Sequence, residues 1–232
     1  MNGSVPLIDF HAHILPGADH GSSGLEESLN QLALIQAAGV DTVVATPHFY
    51  PHRHTPEEFL QLTASAAEKL KAHKDSLPRI CLGAEILYCA HLDEMEGLER
   101  LCVQGTDVLL LELPMDVWGR ELFETVELLS KRFTVVLAHI DRYIREQKAD
   151  IEQLLALGAL AQINGSALFS FAKRHKLRSL LEGDSVVALG SDLHGTNKIF
   201  YQQFLGAQKR LGETHSAIMQ RAANLLKTAI PL

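Results

Sequence analysis

Residues 25–48 read LEESLNQLALIQAAGVDTVVATPH. Leu25–Ala38 has a helical pattern, and Gly39 stands where a helix C-cap belongs. Asp41–Thr46 follows as a short apolar, β-branched run, which reads as a strand buried on both faces. The run stops at Thr46-Pro47-His48, so the chemistry-bearing residue at its exit is an imidazole. Helix, tight link and buried strand make one α/β unit, and that unit recurs along the chain.

Candidate strands lie at Leu7–Phe10, Asp41–Thr46, Arg79–Ala84, Asp107–Leu111, Thr134–Ala138, Leu160–Ile163 and Val186–Gly190. Helical patterns occupy Leu25–Ala38, Pro56–Lys74, Leu92–Leu101, Glu121–Lys131, Ile151–Leu157 and Ala167–Glu182. Two more, near Lys198–Arg210 and Glu213–Ala229, close the chain. Gly158 reads as a further C-cap, and Thr55-Pro56 followed by Glu57 and Glu58 as a helix start. Apolar strands alternating with helices imply a parallel sheet covered by helices. Seven such units in 232 residues favour a barrel slightly smaller than the (β/α)8 type, with a doubly wound open sheet as the alternative. Both architectures place function at the C-terminal ends of the strands.

The chain is 47% hydrophobic and 21% charged, a balance that excludes intrinsic disorder and collagen-like repeats. A net charge of −7 argues against a nucleic-acid partner held through a general basic surface, although a local basic pocket is compatible with it. No apolar run approaches the roughly 18 residues of a membrane span, and Met1–Pro6 has no signal-peptide pattern. Cys81, Cys89 and Cys102 fit no CxxC motif and read as reduced structural thiols in a cytoplasm.

The twelve histidines are the compositional oddity. Strand one runs into Asp9-Phe10-His11-Ala12-His13, and strand two ends at His48. Strand three runs into Glu85, strand four ends at Glu112, and strand five at His139. Strand seven ends in Ser191-Asp192-Leu193-His194. Residues two apart on an extended segment project to one side, so His11 and His13 can reach one ion, and Asp192-x-His194 repeats the arrangement. Imidazoles among carboxylates suit manganese, iron, zinc or magnesium, and the lack of cysteine argues against a structural thiolate zinc site. Eight such groups are too many for one ion, so two or three ions fit better. Clusters of this kind clamp the oxygens of a displacement at phosphorus. Asp9 is assigned behind one of the histidine rings, with a hydrogen bond to neighbouring backbone as the competing reading. His73, His91, His175 and His215 read as surface residues of helices. His52 and His54 lie in the loop after His48, either against substrate or simply in solvent.

IDFHAHILPGADHG (residues 8–21), VVATPHF (43–49), LGAE (82–85), LLLELP (109–114), VVLAHIDRY (135–143) and LGSDLHG (189–195) occur in this order. From about Leu7 onward the chain resembles the bacterial metal-dependent protein-tyrosine phosphatases of capsule and exopolysaccharide clusters. Those enzymes belong to the PHP (polymerase and histidinol phosphatase) superfamily. The resemblance implies a single PHP-type domain over residues 1–232, folded as a distorted (β/α)7 barrel that holds two to three divalent ions. Manganese is the first choice, with iron or zinc as alternatives. By position the ligands are His11, His13, His48, Glu85, Glu112, His139, Asp192 and His194. A ninth falls at His20, where related chains carry an Asp, and that exchange can shift metal preference. Arg142 implies a phosphate clamp, because guanidinium pairs bidentately with phosphate oxygens; the competing reading is an ion pair with Asp141 or another acid. Lys198 and Arg53 are further substrate-binding candidates.

The implied reaction is hydrolysis of a phosphomonoester by a metal-bound hydroxide. The implied substrate is a phosphotyrosine-bearing protein, namely the tail of a bacterial tyrosine kinase that controls polysaccharide export. A phenolate leaves readily (tyrosine pKa about 10), so a strong general acid is dispensable, with His194, His20 or a metal-bound water as the candidates for one. A small-molecule phosphatase, such as one acting on histidinol phosphate, is the enzymatic alternative. A non-enzymatic metal-binding regulatory module is the other. The expected partners include no nucleic acid.

Overall fold

The computed structural model describes residues 5–73 and 77–232. The expected helix end at Lys74 and the first four residues of the Met1–Pro6 lead lie outside the described residues. The apolar runs form short strands: β1 (Ile8–Ala12), β2 (Thr42–Ala45), β3 (His48–Phe49), β4 (Arg79–Leu82), β5 (Glu85–Leu87), β6 (Val108–Glu112), β7 (Thr134–Leu137), β8 (Leu160–Asn164) and β9 (Val186–Gly190). Between them run α1 (Leu25–Ala37), α2 (Pro56–Lys71), α3 (Arg120–Ser130), α4 (Lys148–Ala156), α5 (Phe171–Glu182), α6 (Lys198–Leu211) and α7 (Glu213–Leu225). Thr55 caps α2 in a reciprocal capping box with Glu58, and Pro56 occupies its first turn.

All the strand pairs are parallel, in the orders β1-β2-β4 and β3-β5-β6-β7-β8-β9. Two of the expected strands, Asp41–Thr46 and Arg79–Ala84, are each followed by a second short strand that the sequence reading did not contain. Pro47, which has no N–H to give a ladder, separates β2 from β3. Gly83-Ala84 separates β4 from β5. Hydrogen bonds from Gly83 N to Ala45 O (2.9 Å) and from Glu85 N to Pro47 O (3.1 Å) carry the pairing across both breaks. The ring joins at β9 and β1, where Asp192 N donates to His11 O at 2.8 Å and His13 N to Leu193 O at 3.1 Å. The result is seven parallel staves in sequence order, a distorted (β/α)7 barrel rather than an open sheet. Every residue of β1, β2 and β9 is buried, as expected for staves covered by helices.

Three local expectations are corrected. Leu92–Leu101 is not one α-helix but two 3-10 turns, Leu92–Glu94 and Leu98–Leu101. Gly97, at φ 80°, interrupts the helical course between them. Ala167–Glu182 is likewise divided: a 3-10 segment (Gly165–Phe169) precedes α5, and the Ser170 hydroxyl accepts from Lys173 N to start the α-helix. His215, expected at the surface, is buried in α7, where loss of water lowers its pKa.

Candidate metal centre

The polar residues at the strand exits converge on one end of the barrel. His11 lies in β1 and His13 just beyond it, so their shared side follows from the two-residue period of extended chain. His48 opens β3 and pairs in register with Glu85, which opens β5. Glu112 ends β6, and His139 follows β7. Asp192 and His194 follow β9. His139 (φ 31°) and Asp192 (φ 54°) adopt left-handed backbone, which is uncommon outside glycine and tends to mark functional positions. These bends turn each chain sharply where its side chain enters the cluster.

Glu85 is the hub. Its Oε2 lies 3.2 Å from Nε2 of His11, 3.2 Å from Nε2 of His13 and 2.9 Å from Nδ1 of His48, and its Oε1 lies 2.6 Å from Nε2 of His139. The His11 and His13 Nε2 atoms are 3.1 Å apart. Four overlapping groups each present three ligand atoms close together: His11/Glu85/His139, His48/Glu85/Glu112, His11/His13/Asp192 and His13/His48/His194. Glu85, His11, His13 and His48 each serve two of these groups, the arrangement that adjacent ions sharing ligands require.

The donor chemistry fits divalent cations. Buried Glu85 Oε2, Asp192 Oδ1, His48 Nδ1 and His194 Nε2 have no hydrogen-bond partner among the described residues. Such orphaned atoms are costly unless a ligand takes their lone pairs. The opposite edges of several of these groups are tied down. Asp192 Oδ2 accepts from Arg142 Nη2 (2.7 Å) and Asn164 Nδ2 (2.9 Å), which leaves Oδ1 for the cluster. His13 Nδ1 donates to Asp19 Oδ2 at 2.6 Å, which turns Nε2 inward to the cluster. Burial alone would lower the His13 pKa. The hydrogen bond to Asp19 and the neighbouring charge of Glu85 outweigh it and raise the ring to about 10. The same imidazoles hold Glu85 well below the usual carboxylate range against its burial. Burial and the charge of Glu85 push Glu112 up, whereas His11, His139 and Arg142 overcome burial to bring Asp192 to about 2. His194 falls to about 4 through burial and the proximity of His13.

Asp19, Gln162 and Asn164 escaped the sequence reading. Asp19 also accepts from the backbone N–H of His48 (3.0 Å) and of Gly21 (2.8 Å), so one carboxylate orients two candidate ligands. Gln162 Oε1 accepts the His139 backbone N–H at 2.6 Å and lies 3.3 Å from His11 Nδ1. Its Nε2 donates to Asn164 Oδ1 at 2.9 Å. A signal existed: Gln162-x-Asn164 repeats the two-residue spacing of His11-x-His13 at the end of an apolar strand. Asp9 is corrected. Its Oδ1 accepts backbone N–H groups of Ser191 (2.8 Å) and His11 (3.4 Å) and so joins β9 to β1 instead of backing an imidazole.

A cleft of about 490 Å³ opens beside the cluster, with His20, Arg142, Lys173, Asp192 and His194 on its walls. His20 is exposed at this mouth, its ring stacked 4.9 Å from that of His48 and tilted at 4.6 Å from that of His194, outside the four ligand groups. Arg142 pairs with Glu112 (3.0 Å) and Asp192 (2.7 Å), not with Asp141. Asp141 instead holds Lys173 at 2.9 Å. Lys198 is exposed at the start of α6 and Arg53 lies over the Tyr50 ring; neither lines the cleft. His52 and His54 share a separate surface depression with Arg53. Phe49 is core, and Tyr143 is buried with its hydroxyl donating to Leu113 O at 2.6 Å. The three cysteines are unpaired.

A family model described as "Capsular polysaccharide synthesis, CpsB/CapC" matches residues 7–208. Tyrosine-protein phosphatase YwqE of Bacillus subtilis (strain 168) is 28% identical over 233 residues, covering 95% of this chain and 91% of that protein. A solved structure from work on YwqE of Bacillus subtilis and CpsB of Streptococcus pneumoniae, called unique metal-dependent tyrosine phosphatases, superposes with a TM-score of 0.78. Its identity is 24%, and the match covers 97% of this chain and 96% of that one. A histidinol phosphate phosphatase of Lactococcus lactis subsp. lactis, solved with zinc, L-histidinol and phosphate, matches at TM-score 0.57. Its identity is 14%, over 89% of this chain and 94% of that one.

Proposed function

The chain belongs to the CpsB/CapC family of capsular polysaccharide synthesis, and from that premise we propose that it is a metal-dependent phosphatase acting on protein phosphotyrosine. One observation carries the reading. Glu85 gathers four imidazoles, with unpartnered lone pairs around it, directly beside a cleft bearing Arg142 and Lys173. His11, His13, His48, Glu85, Glu112, His139, Asp192 and His194 hold two to three divalent ions, manganese first and iron or zinc next. His20 is a further ligand candidate at the mouth. When bound, the ions supply the positive charge that neutralises phosphoryl oxygens and acidifies the attacking water.

The residues of the chain divide the remaining work. Arg142, whose Nη1 and Nη2 pair with Glu112 and Asp192, brings a guanidinium charge to the wall where the phosphate would sit, and Lys173 adds a point charge on the same wall. Lys173 takes the place foreseen for Lys198 or Arg53. His194 is held neutral near pH 7, which suits a ligand better than an acid. A phenolate, with a pKa of about 10, departs without one. None of the cysteines is needed as a nucleophile, because the cluster does not contain them. The substrate is the phosphotyrosine tail of a bacterial tyrosine kinase that controls polysaccharide export. Action in the cytoplasm agrees with the three unpaired thiols. Among the described residues no helix is long and apolar enough to cross a membrane.

The test is hydrolysis of a tyrosine-phosphorylated peptide by metal-stripped protein, with manganese, iron, zinc and magnesium added back in parallel. Release that depends on added ion supports the reading, and His139→Ala should abolish it while leaving the far-UV CD spectrum intact. Turnover of histidinol phosphate with none of the peptide would move the protein to the small-molecule phosphatases. Inactivity on both substrates with metal bound would favour a regulatory module.

A further inference from the structure

Outside the cleft, positive charge gathers on α5 and the last turn of α6. In a chain of net charge −7, α5 (FAKRHKLRSLLE) carries Lys173, Arg174, Lys176 and Arg178 against Glu182 alone. Arg174, Arg178 and Arg210 line a groove of about 450 Å³ together with Phe171, His175 and Glu182. Among the described residues neither Arg174 nor Arg210 forms an ion pair. Arg178 meets only Glu182, an exposed i,i+4 contact at 3.4 Å. Arg210 is ordered by the Phe169 ring, 4.0 Å below its guanidinium, so little side-chain freedom is lost when it binds an anion. Phe171, 78% exposed, stacks on His175 and adds an apolar wall.

The groove and the proposed active-site cleft lie on neighbouring faces of α5 and share no lining residue. Lys173 lines the catalytic cleft, Arg174 is the next residue, and Arg178 follows one turn on, about 6 Å along the helix axis. Because α5 supplies Lys173 to the cleft and Arg174 and Arg178 to the groove, it offers one exit path for a chain whose phosphoryl group sits at Arg142. We propose that the groove docks an acidic, Asp/Glu-rich segment of the same polypeptide that carries the phosphotyrosine. Charge complementarity supports this occupant: three arginines against one glutamate, exposed on an otherwise acidic protein. This inference rests on the phosphotyrosine reading above and extends it to the sequence around the target residue.

The test compares three substrates with metal-loaded protein: free phosphotyrosine, a phosphotyrosine peptide with Ser/Gly flanks, and the same peptide with Asp/Glu flanks. Wild type should favour the acidic peptide in kcat/KM by about tenfold, mainly through KM, and the preference should shrink as salt rises. R174E/R178E should erase the preference without changing turnover of free phosphotyrosine. Equal kcat/KM for both peptides in wild type, or a preference that survives R174E/R178E, would overturn the proposal. Fluorescence anisotropy of the labelled acidic peptide, unphosphorylated, on metal-stripped protein separates the two readings. If no substrate is turned over, the phosphatase reading fails, yet binding lost in R174E/R178E still supports the groove and binding retained refutes it.

Discussion

Asp19 shows how much a single side chain behind the ligands decides. Its two oxygens take the His13 ring N–H and the backbone N–H groups of His48 and Gly21. The His13 hydrogen bond holds its pKa well below the ordinary range despite its burial. Asp19→Asn keeps the shape and removes the charge, so divalent metal affinity should fall about 10–100-fold with the fold intact. Metal titration of the stripped variant, followed calorimetrically, checks this; wild-type affinity would mean that His13 needs no orienting partner. Gln162→Leu isolates a different term. It strands the fully buried His139 N–H and should cost about 1–3 kcal/mol in urea unfolding.

At the scale of elements, barrel closure depends on close approach of β9 to β1. A Cβ on Gly190 would lie 2.6 Å from His11 Cβ and 2.7 Å from Gln162 Nε2. Neither neighbour can give way without moving the cluster, because His11 is a candidate ligand and Gln162 carries the His139 N–H. Gly190→Ala should therefore destabilise by about 1–3 kcal/mol or more and weaken metal binding together. A wild-type melting temperature with wild-type metal affinity would show that the seam tolerates a methyl group. The breaks in the second and third staves serve the site as well. They let His48 and Glu85 begin new short strands in mutual register at the mouth of the barrel.

For the molecule as a whole, charge and metal are linked through protons. In the stripped protein the His13 pKa stands at about 10, above its ordinary 6.5. Its contribution to stability is complete below about pH 6.5 and lost as the pH rises through about 10. Asp192, lowered from 3.8 to about 2, acts in the opposite sense: its contribution is present above 3.8 and lost as the pH falls through about 2. A metal must displace the proton from His13 Nε2, so binding near pH 7 should release at least one proton, and affinity should climb with pH. Calorimetry in buffers of different ionisation enthalpy reads that number directly. Zero release would mean that His13 stays protonated and is not a ligand.

The helix–strand alternation, the pair His11-x-His13 and the Thr55 cap were legible in the chain, because each is a matter of local backbone geometry. The same holds for the placement of His48, Glu85, Glu112 and His139 at strand exits. Asp192-x-His194 does not repeat the arrangement of His11-x-His13, since Asp192 has left-handed backbone and the two side chains join different ligand groups. Leu92–Leu101 misled because its helical spacing outweighed Gly97, and His215 because a lone imidazole on a helix carries no mark of which face packs inward. Gln162 and Asn164 had the right spacing, but neutral amides bear no charge to draw attention. Partner choices lay further out of reach. Arg142 with Glu112 and Asp192, Lys173 with Asp141, and Asp19 with His13 and His48 depend on strand register and on where the barrel closes. Sequence by itself determined which residues stand at the exits of the staves; only the tertiary structure decided which atoms meet there, since register and closure join segments that no local periodicity connects.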